Sequence, residues 1–419
     1  MITIKQVKLE QVTVSLEVNN SSEGFARDLA AIEALNLPRQ GAITLNASRK
    51  PRQSLLDFDL PEIIELVKEL GFPAFRARQI WGWLYQKFAA DYAEMANLPR
   101  PLLEKLAERA PLSPLEVVIE KVAGDGQTRK VLFRLPDGAE IESVLMIYAD
   151  RATVCVSTQA GCAMGCTFCA TGQLGLFRNL QAGEIVQQVL HFERYLSTTT
   201  DPVATGHKRV TNLVFMGMGE PLANYLNLWK SIRRFHDPEG VNMGARKMTV
   251  STVGLVPMIR RFAEEDLPVN LAISLHAAND TLRSSMIPVN NRFPIADLIQ
   301  ACRDYIQKSN RRVSFEYTLV ENQNDNPAAA RELGKLLQGM LCHVNLIPMN
   351  PVPGSQQRGS TGERVKAFQT ELTRSGIPNS VRFEKGRDIQ AACGQLKVEK
   401  DAAELKREAK LVKDTSDNA

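Results

Sequence analysis

From Ala152 to Lys385 the chain alternates between short strand-like runs and longer amphipathic stretches, and this alternation limits the fold more than any other feature. The strand-like runs are ATVCVST, TNLVFMG, KMTVST, VNLAISL, VSFEYTLV, HVNLIPM and SVRFEK. Between them lie AGEIVQQVLHFERYL, YLNLWKSIRRF, LVPMIRRFAEE, IADLIQACRDYIQK, AAARELGKLLQGM and RVKAFQTELTRSG, with apolar residues at three and four spacing. Repeated strand–helix alternation predicts parallel strands with right-handed crossovers, in a barrel or an open sheet. In both, ligands gather at the C-terminal strand ends. Ahead of this region, LEVVIEKVA, KVLFRL and EIESVLMIY read as strands, with a turn at Pro136–Gly138.

The segment from Ser54 to Pro111 has a different period. LPEIIELVKELG is helical and stops at Gly71, and FRARQIWGWLYQKF and LLEKLAERA follow in the same manner. Arg76, Arg78 and Lys87 sit beside Trp81, Trp83 and Tyr85, an interleaving that suits RNA phosphates and stacked bases. Helical spacing alone favours the plainer reading, aromatics in a core and charges on a solvated face. The chain therefore divides into an extension of unknown role (1–50), a helical accessory domain (51–112), a catalytic domain with a leading β segment (113–396) and a charged tail (397–419). Within the extension, Ile2 to Val18 alternates loosely enough for a strand pair.

With 419 residues, 44% of them hydrophobic, the chain has enough apolar material for more than one domain. Its net charge of +4 permits a polyanionic partner without arguing for one. No apolar run is long enough to span a membrane, and the N-terminus lacks the features of a cleaved signal. A cytoplasmic location follows as the expectation, and clustered cysteines there serve as metal ligands or catalysts rather than disulfides.

The stretch AGCAMGCTFCATG places Cys162, Cys166 and Cys169 at C-x3-C-x2-C spacing after the strand ATVCVST. Three thiolates so close in sequence suit a 4Fe–4S cluster, with one iron left for a cofactor to chelate. Zinc is the alternative, but it wants four ligands, usually as two separated pairs. Elsewhere, FMGMGEP puts Gly217, Gly219 and Glu220 at a strand end, where a backbone without side chains admits a charged ligand closely. Ser251, Ser274, Leu275, His276 and Asn350 also fall at strand ends, where their polar groups serve either a ligand or helix capping. Cys155 and Cys393 read by spacing alone as small buried hydrophobes, as do Cys302 and Cys342.

These motifs together carry a resemblance. ATVCVSTQAGCAMGCTFCATG, FMGMGEPL, VSTVGLVP, LAISLHA, YTLVENQND, VNLIPMNP and DIQAACGQL, in this order, resemble the radical S-adenosylmethionine (SAM) superfamily and within it the 23S rRNA/tRNA adenine C2-methyltransferases. The similarity runs from about Leu55 to Leu396. It implies an α/β fold, a partial (βα)6 barrel with a small N-terminal helical domain. It implies a 4Fe–4S cluster on Cys162, Cys166 and Cys169, and SAM contacts from Gly219, Glu220, Ser251, Ser274, Leu275, His276 and Asn350.

In the scheme the resemblance implies, two SAM molecules are used per turnover. One methylates Cys393 by displacement. The second is cleaved by one electron, and the resulting radical takes hydrogen from the cysteine-bound methyl group. The methylene radical adds to C2 of adenine, an electron-poor carbon that cannot attack SAM directly. Glu142 matches the acid that takes the C2 proton, and Cys155 matches the thiol that attacks Cys393, forming a disulfide and freeing the RNA. The partners implied are 23S rRNA at the peptidyl-transferase centre, tRNA at the adenine 3′ of the anticodon, and an electron donor such as flavodoxin or ferredoxin, with the enzyme acting as a monomer. Two readings compete. The sister C8-methyltransferases share the cluster and both cysteines, but Pro221, Ala277 and Pro348 stand in stretches that look like the C2 enzymes. An RNA-binding protein with a structural or redox cluster would need a fourth protein ligand. The sequence departs modestly from the pattern, with Gln323 at a valine position and a loop at 197–208 that looks inserted.

Overall fold

The computed structural model describes residues 53–112, 115–350, 356–382 and 385–396. The extension with its expected strand pair, and the charged tail, lie outside these residues.

Three helices open the described chain: α1 (Leu60–Glu69), α2 (Phe75–Tyr85) and α3 (Arg100–Arg109). The α1 start is set by Asp59 and Glu62, which cap each other's backbone N–H groups, and its buried stripe is Ile63, Leu66 and Val67. This helical region packs on the barrel through polar contacts at its base. Trp81 Nε1 donates to Asp237 (3.0 Å), and Arg234 donates to the carbonyls of Leu56 and Asp57 and to the Tyr85 hydroxyl. Trp81 and Tyr85 are buried core, in line with the plainer reading of their spacing.

A sheet of ten strands follows, whose order in space is the order in which they are given next. Strands β1 (Glu116–Val122), β2 (Thr128–Arg134), β3 (Glu140–Ile147) and β4 (Ala152–Cys155) form an antiparallel meander. From β4 onward every neighbour is parallel: β7 (Asn212–Phe215), β8 (Met248–Thr252), β9 (Asn270–Ser274), β10 (Val313–Leu319), β11 (Cys342–Pro348) and β12 (Asn379–Val381). The crossovers are α4 (Ala182–Thr198), α5 (Tyr225–His236), α6 (Val256–Phe262), a pair α7 (Asp280–Met286) and α8 (Ile295–Ser309), α9 (Pro327–Leu337) and α10 (Gly362–Arg374). They coincide with the amphipathic stretches, except α7, whose buried residues are Arg283 and Met286 and which therefore shows no apolar period.

The sheet is curled but unclosed. Thr153 of β4 and Arg382 just past β12 line one cavity, although their strands are far apart in sheet order. This is the partial barrel expected, with the helices outside and a lumen inside. Between β4 and α4 lies a small hairpin of β5 (Gln159–Cys162) and β6 (Gly175–Asn179), which no periodicity announced.

Candidate active site

The three-cysteine loop starts inside this hairpin. The β5–β6 register shifts between Ala160 and Gly161, and Gly161 has φ +75°. A Cβ there would lie 2.0 Å from the carbonyl oxygen of Gly175, so only glycine fits. The loop then folds on itself. Cys169 N–H donates to Cys166 O (3.2 Å), Gln173 Nε2 to the same oxygen (3.0 Å), and Thr167 N–H to Met286 O at the end of α7 (3.0 Å). Cys162, Cys166 and Cys169 consequently all line one cavity of about 150 Å³ at the C-terminal ends of the parallel strands.

Burial pushes all three thiols above their usual pKa, and each of Cys162 and Cys166 is pushed further by the charges of neighbouring thiolates. No three His, Cys, Asp or Glu side chains among the described residues converge closely enough to hold a single metal ion. The thiols instead stand around a shared space, as the donors of a polynuclear cluster do.

Opposite them, the β7 exit closely approaches the chain from Val156, just past β4, to Gln159 at the start of β5. A Cβ on Gly217 would lie 2.7 Å from the Val156 carbonyl, and one on Gly219 (φ +100°) 2.5 Å from the Gln159 side chain. This brings Glu220 to the cavity wall, buried, with its carboxylate accepting from the N–H groups of Val253 (2.9 Å) and Leu222 (3.0 Å). Burial raises its pKa to about 7, against the opposing pull of those donors.

Ser251 and Ser274 lie side by side on β8 and β9, their hydroxyls 3.5 Å apart. His276 adopts φ +57°, and its Nδ1 accepts from Thr318 N–H (2.9 Å), which leaves the proton on Nε2. Desolvation, assisted by the Arg283 charge, lowers its pKa to about 3 and keeps the ring neutral. Asn350 donates from Nδ2 to Cys393 O (3.3 Å), while its Oδ1 is buried with no hydrogen-bond partner. An orphan acceptor, a carboxylate and two hydroxyls on one wall, with thiols on the other, fit a zwitterionic nucleoside such as SAM beside a cluster. Leu275 lies apart from this wall. Its side chain is fully buried, and its backbone is taken by Glu316 O and Arg283 Nε.

Cys393 lines the same cavity and is partly exposed. Its segment is tied to the cysteine loop by Ala170 N–H to Gly394 O (2.8 Å) and Thr171 Oγ1 to Leu396 O (2.6 Å). It is tied to the meander by Gly124 N–H to Asp388 (2.9 Å) and Lys130 Nζ to Gln390 O (3.1 Å).

Cys155 and Glu142 do not line this cavity; they face the lumen beside it. Val144 stands opposite both Lys130 and Cys155 in the ladders, so Lys130, Glu142, Val144 and Cys155 share one face of the sheet. Thr153, on that same face, lines a second cavity of about 340 Å³ deeper in the barrel. Glu142 is buried in an ion pair with Lys130 (2.9 Å), and its peptide is fixed by Ser157 Oγ donating to Glu142 O (2.6 Å).

The second cavity shares Met216, Glu316 and Arg382 with the first, and Arg151, Arg246 and Lys247 stand at its rim. Sequence reading passed over Glu316, Arg382, Lys130 and Arg283. Their significance comes from partners on other elements of the fold, and the only local signal was a charged residue inside an otherwise strand-like run for Lys130, Glu316 and Arg382.

The curled parallel sheet, with a three-cysteine loop beyond its first parallel strand, defines a radical SAM protein, and the Radical SAM superfamily model matches residues 156–333. Residues 53–112 match the Ribosomal RNA large subunit methyltransferase N-terminal domain. A protein named "Probable dual-specificity RNA methyltransferase RlmN" in Chloroflexus aurantiacus is 55% identical over 351 residues, spanning 82% of this chain and 93% of that relative. Its namesake in Roseiflexus castenholzii is 48% identical over 386 residues, spanning 83% and 97%. The crystal structure of a radical SAM methyltransferase from Sphaerobacter thermophilus matches with a TM-score of 0.80 at 51% identity, over 83% of this chain and all of that one. The chain belongs to the RlmN family of dual-specificity RNA methyltransferases. Membership implies a 4Fe–4S cluster and SAM, which the site fits. No helix among the described residues is long and apolar enough to cross a membrane.

Proposed function

We propose that the protein methylates carbon 2 of an adenine in 23S rRNA and of the adenine 3′ of the anticodon in tRNA, with Cys393 carrying the methyl group and Cys155 releasing the product. The observation that carries this reading is the placement of Cys393 in the cavity lined by Cys162, Cys166 and Cys169. In this reading those three thiolates hold the cluster, and Gly219, Glu220, Ser251, Ser274, His276 and Asn350 hold SAM, with Leu275 framing the strand end between its neighbours. Bound there, the cluster and SAM supply a one-electron cleavage whose radical product takes hydrogen from a methyl group.

The chain's own residues do the rest. The Cys393 sulfur bears the methyl carbon, held in place by the bonds from Ala170, Thr171 and Asn350 to its segment. Glu142 accepts the proton leaving C2, its carboxylate held in place by the ion pair with Lys130. The Cys155 thiolate attacks Cys393 Sγ; the sulfur–carbon bond breaks with its electron pair passing to the adenine-bound methylene carbon, which takes up a proton to become the product methyl group, and a disulfide forms. Arg151, Arg246 and Lys247 at the second cavity suit an RNA backbone, with the flipped base directed into the lumen. A low-potential donor such as flavodoxin or ferredoxin completes a cytoplasmic, monomeric enzyme. The helical accessory domain (51–112) joins RNA binding to the catalytic domain (113–396).

Mass spectrometry of nuclease-digested RNA, after incubation with cluster-loaded protein and SAM, tests the position. The reading requires 2-methyladenosine. Finding 8-methyladenosine in its place would assign the sister chemistry.

A further inference from the structure

Arg283 is the largest of the fully buried side chains, and it is a cation. It projects from α7, and every hydrogen bond it makes goes to a neutral group. Nε donates to Leu275 O (3.1 Å), Nη1 to Asn290 Oδ1 (2.7 Å), and Nη2 to Val253 O (2.6 Å) and Ser274 O (3.2 Å). Among the described residues no carboxylate stands within ion-pairing distance of it; Asp280, on the same helix, is occupied by Asn290 Nδ2 and the N–H of Ile295. An interior guanidinium without a counter-charge is costly, because burial removes its hydration and neutral acceptors return only part of it.

The missing anion lies next door. The same helix receives the hydrogen bond of the cysteine loop, from Thr167 N–H to Met286 O. Two of the Arg283 acceptors, the carbonyls of Val253 and Ser274, belong to residues that line the same cavity as Cys162, Cys166 and Cys169. A 4Fe–4S cube on three thiolates is a net anion that becomes more negative when it gains an electron.

We propose that Arg283 is the built-in counter-charge of the cluster, a positioning residue whose buried cation makes one-electron reduction of the cluster easier. The inference rests on Cys162, Cys166 and Cys169 holding that cluster. The step is electron transfer alone: a low-potential reductant loses one electron, the cluster gains it, and no bond forms or breaks. Net charge and burial are among the terms that set such potentials. The four hydrogen bonds also fix the Val253 turn and the end of β9, which is why arginine is suited here rather than lysine.

The test is a dithionite titration with low-potential mediators, followed by EPR, on full-length protein reconstituted anaerobically. Iron and sulfide are assayed on every sample. Arg283→Gln is expected to take up a cluster and to shift its midpoint negative by a tenfold or greater change in the reduction equilibrium, 59 mV per decade for one electron. Arg283→Lys, which keeps the charge but not the fork, is expected to stay within that limit of wild type. A cluster-loaded Arg283→Gln with the wild-type midpoint overturns the inference while leaving the cluster reading intact. If the glutamine variant takes up no iron, the lysine variant decides: a retained midpoint supports the role of charge, and a tenfold negative shift overturns it. Wild-type protein that binds no cluster overturns both.

Discussion

Lys130 and Glu142 form an ion pair 2.9 Å long whose two side chains are 4% and 3% exposed. Lys130 also holds the carbonyl of Gln390, so one ammonium links the proposed proton acceptor to the segment that carries Cys393. Breaking such a pair from one side leaves a buried charge and costs about 3–5 kcal/mol, whereas replacing both partners by apolar groups is close to neutral. Lys130→Met should therefore destabilise the protein strongly in urea unfolding. The double variant Lys130→Met, Glu142→Leu should recover most of that stability but no methyl transfer. Recovery of methylation in the double variant would remove Glu142 from the chemistry.

If Glu220 holds SAM as proposed, its titration couples cofactor binding to pH. Its carboxyl titrates near 7 in the folded chain because of burial, against a usual value of 4.5. The folded state thus holds this proton more tightly than the unfolded chain, so the stabilisation is fully present below 4.5 and is lost as pH rises through about 7. Glu220→Gln should raise the melting temperature of the cofactor-free protein at pH 8 relative to wild type and leave it little changed at pH 5. The same change should weaken SAM binding at least about tenfold, since one hydrogen bond to a charged group carries about 1.5–3 kcal/mol. Calorimetry at both pH values checks both effects. A variant less stable than wild type at pH 8 contradicts the account.

Gly161 is the hinge of the cysteine loop. An alanine there meets the Gly175 carbonyl at 2.0 Å and sits at φ +75°, which alone costs about 1–2 kcal/mol. The strain falls on the β5–β6 hairpin, outside the main sheet. Gly161→Ala should reduce iron uptake on reconstitution to less than half of wild type while far-UV circular dichroism stays unchanged. Normal iron content would show that the hairpin does not set the loop.

The cations at the rim of the second cavity should act as phosphate contacts. Replacing both exposed residues, Arg246→Gln with Lys247→Gln, should weaken RNA binding alike for every sequence and reduce the salt slope of the binding constant by about 2. Cluster content should be unaffected. Fluorescence anisotropy at several salt concentrations reads this, and an unchanged slope would place the RNA elsewhere on the molecule.

Much of this was legible in the sequence where the signal is local. Helices such as Ile295–Ser309 and Pro327–Leu337 bury one stripe and announce it by period, and the three cysteines with their glycines announce a ligand loop. What was hidden depends on partners that only the tertiary fold brings together. The β5–β6 hairpin has strands of four and five residues with glycine in both, too short and too irregular for alternation to show. The helix of Arg283 has seven residues, and its arginine looks like surface until its four acceptors are known. Leu275 illustrates a motif read as a block. Alternation along SLH turns Ser274 and His276 to the cavity and Leu275 to the core between sheet and helices. Lys130 and Glu142 lie on neighbouring strands, and only their shared face reveals the pair.

The proposed covalent route through Cys393 is tested most directly by removing the thiol proposed to end it. Cluster-loaded Cys155→Ala, given SAM, a reductant and end-labelled RNA under anaerobic conditions, should retain the label on the protein band of a denaturing gel, and Cys155→Ala with Cys393→Ala should not. A fully loaded Cys155→Ala enzyme that releases methylated RNA and leaves no labelled protein band would contradict the account.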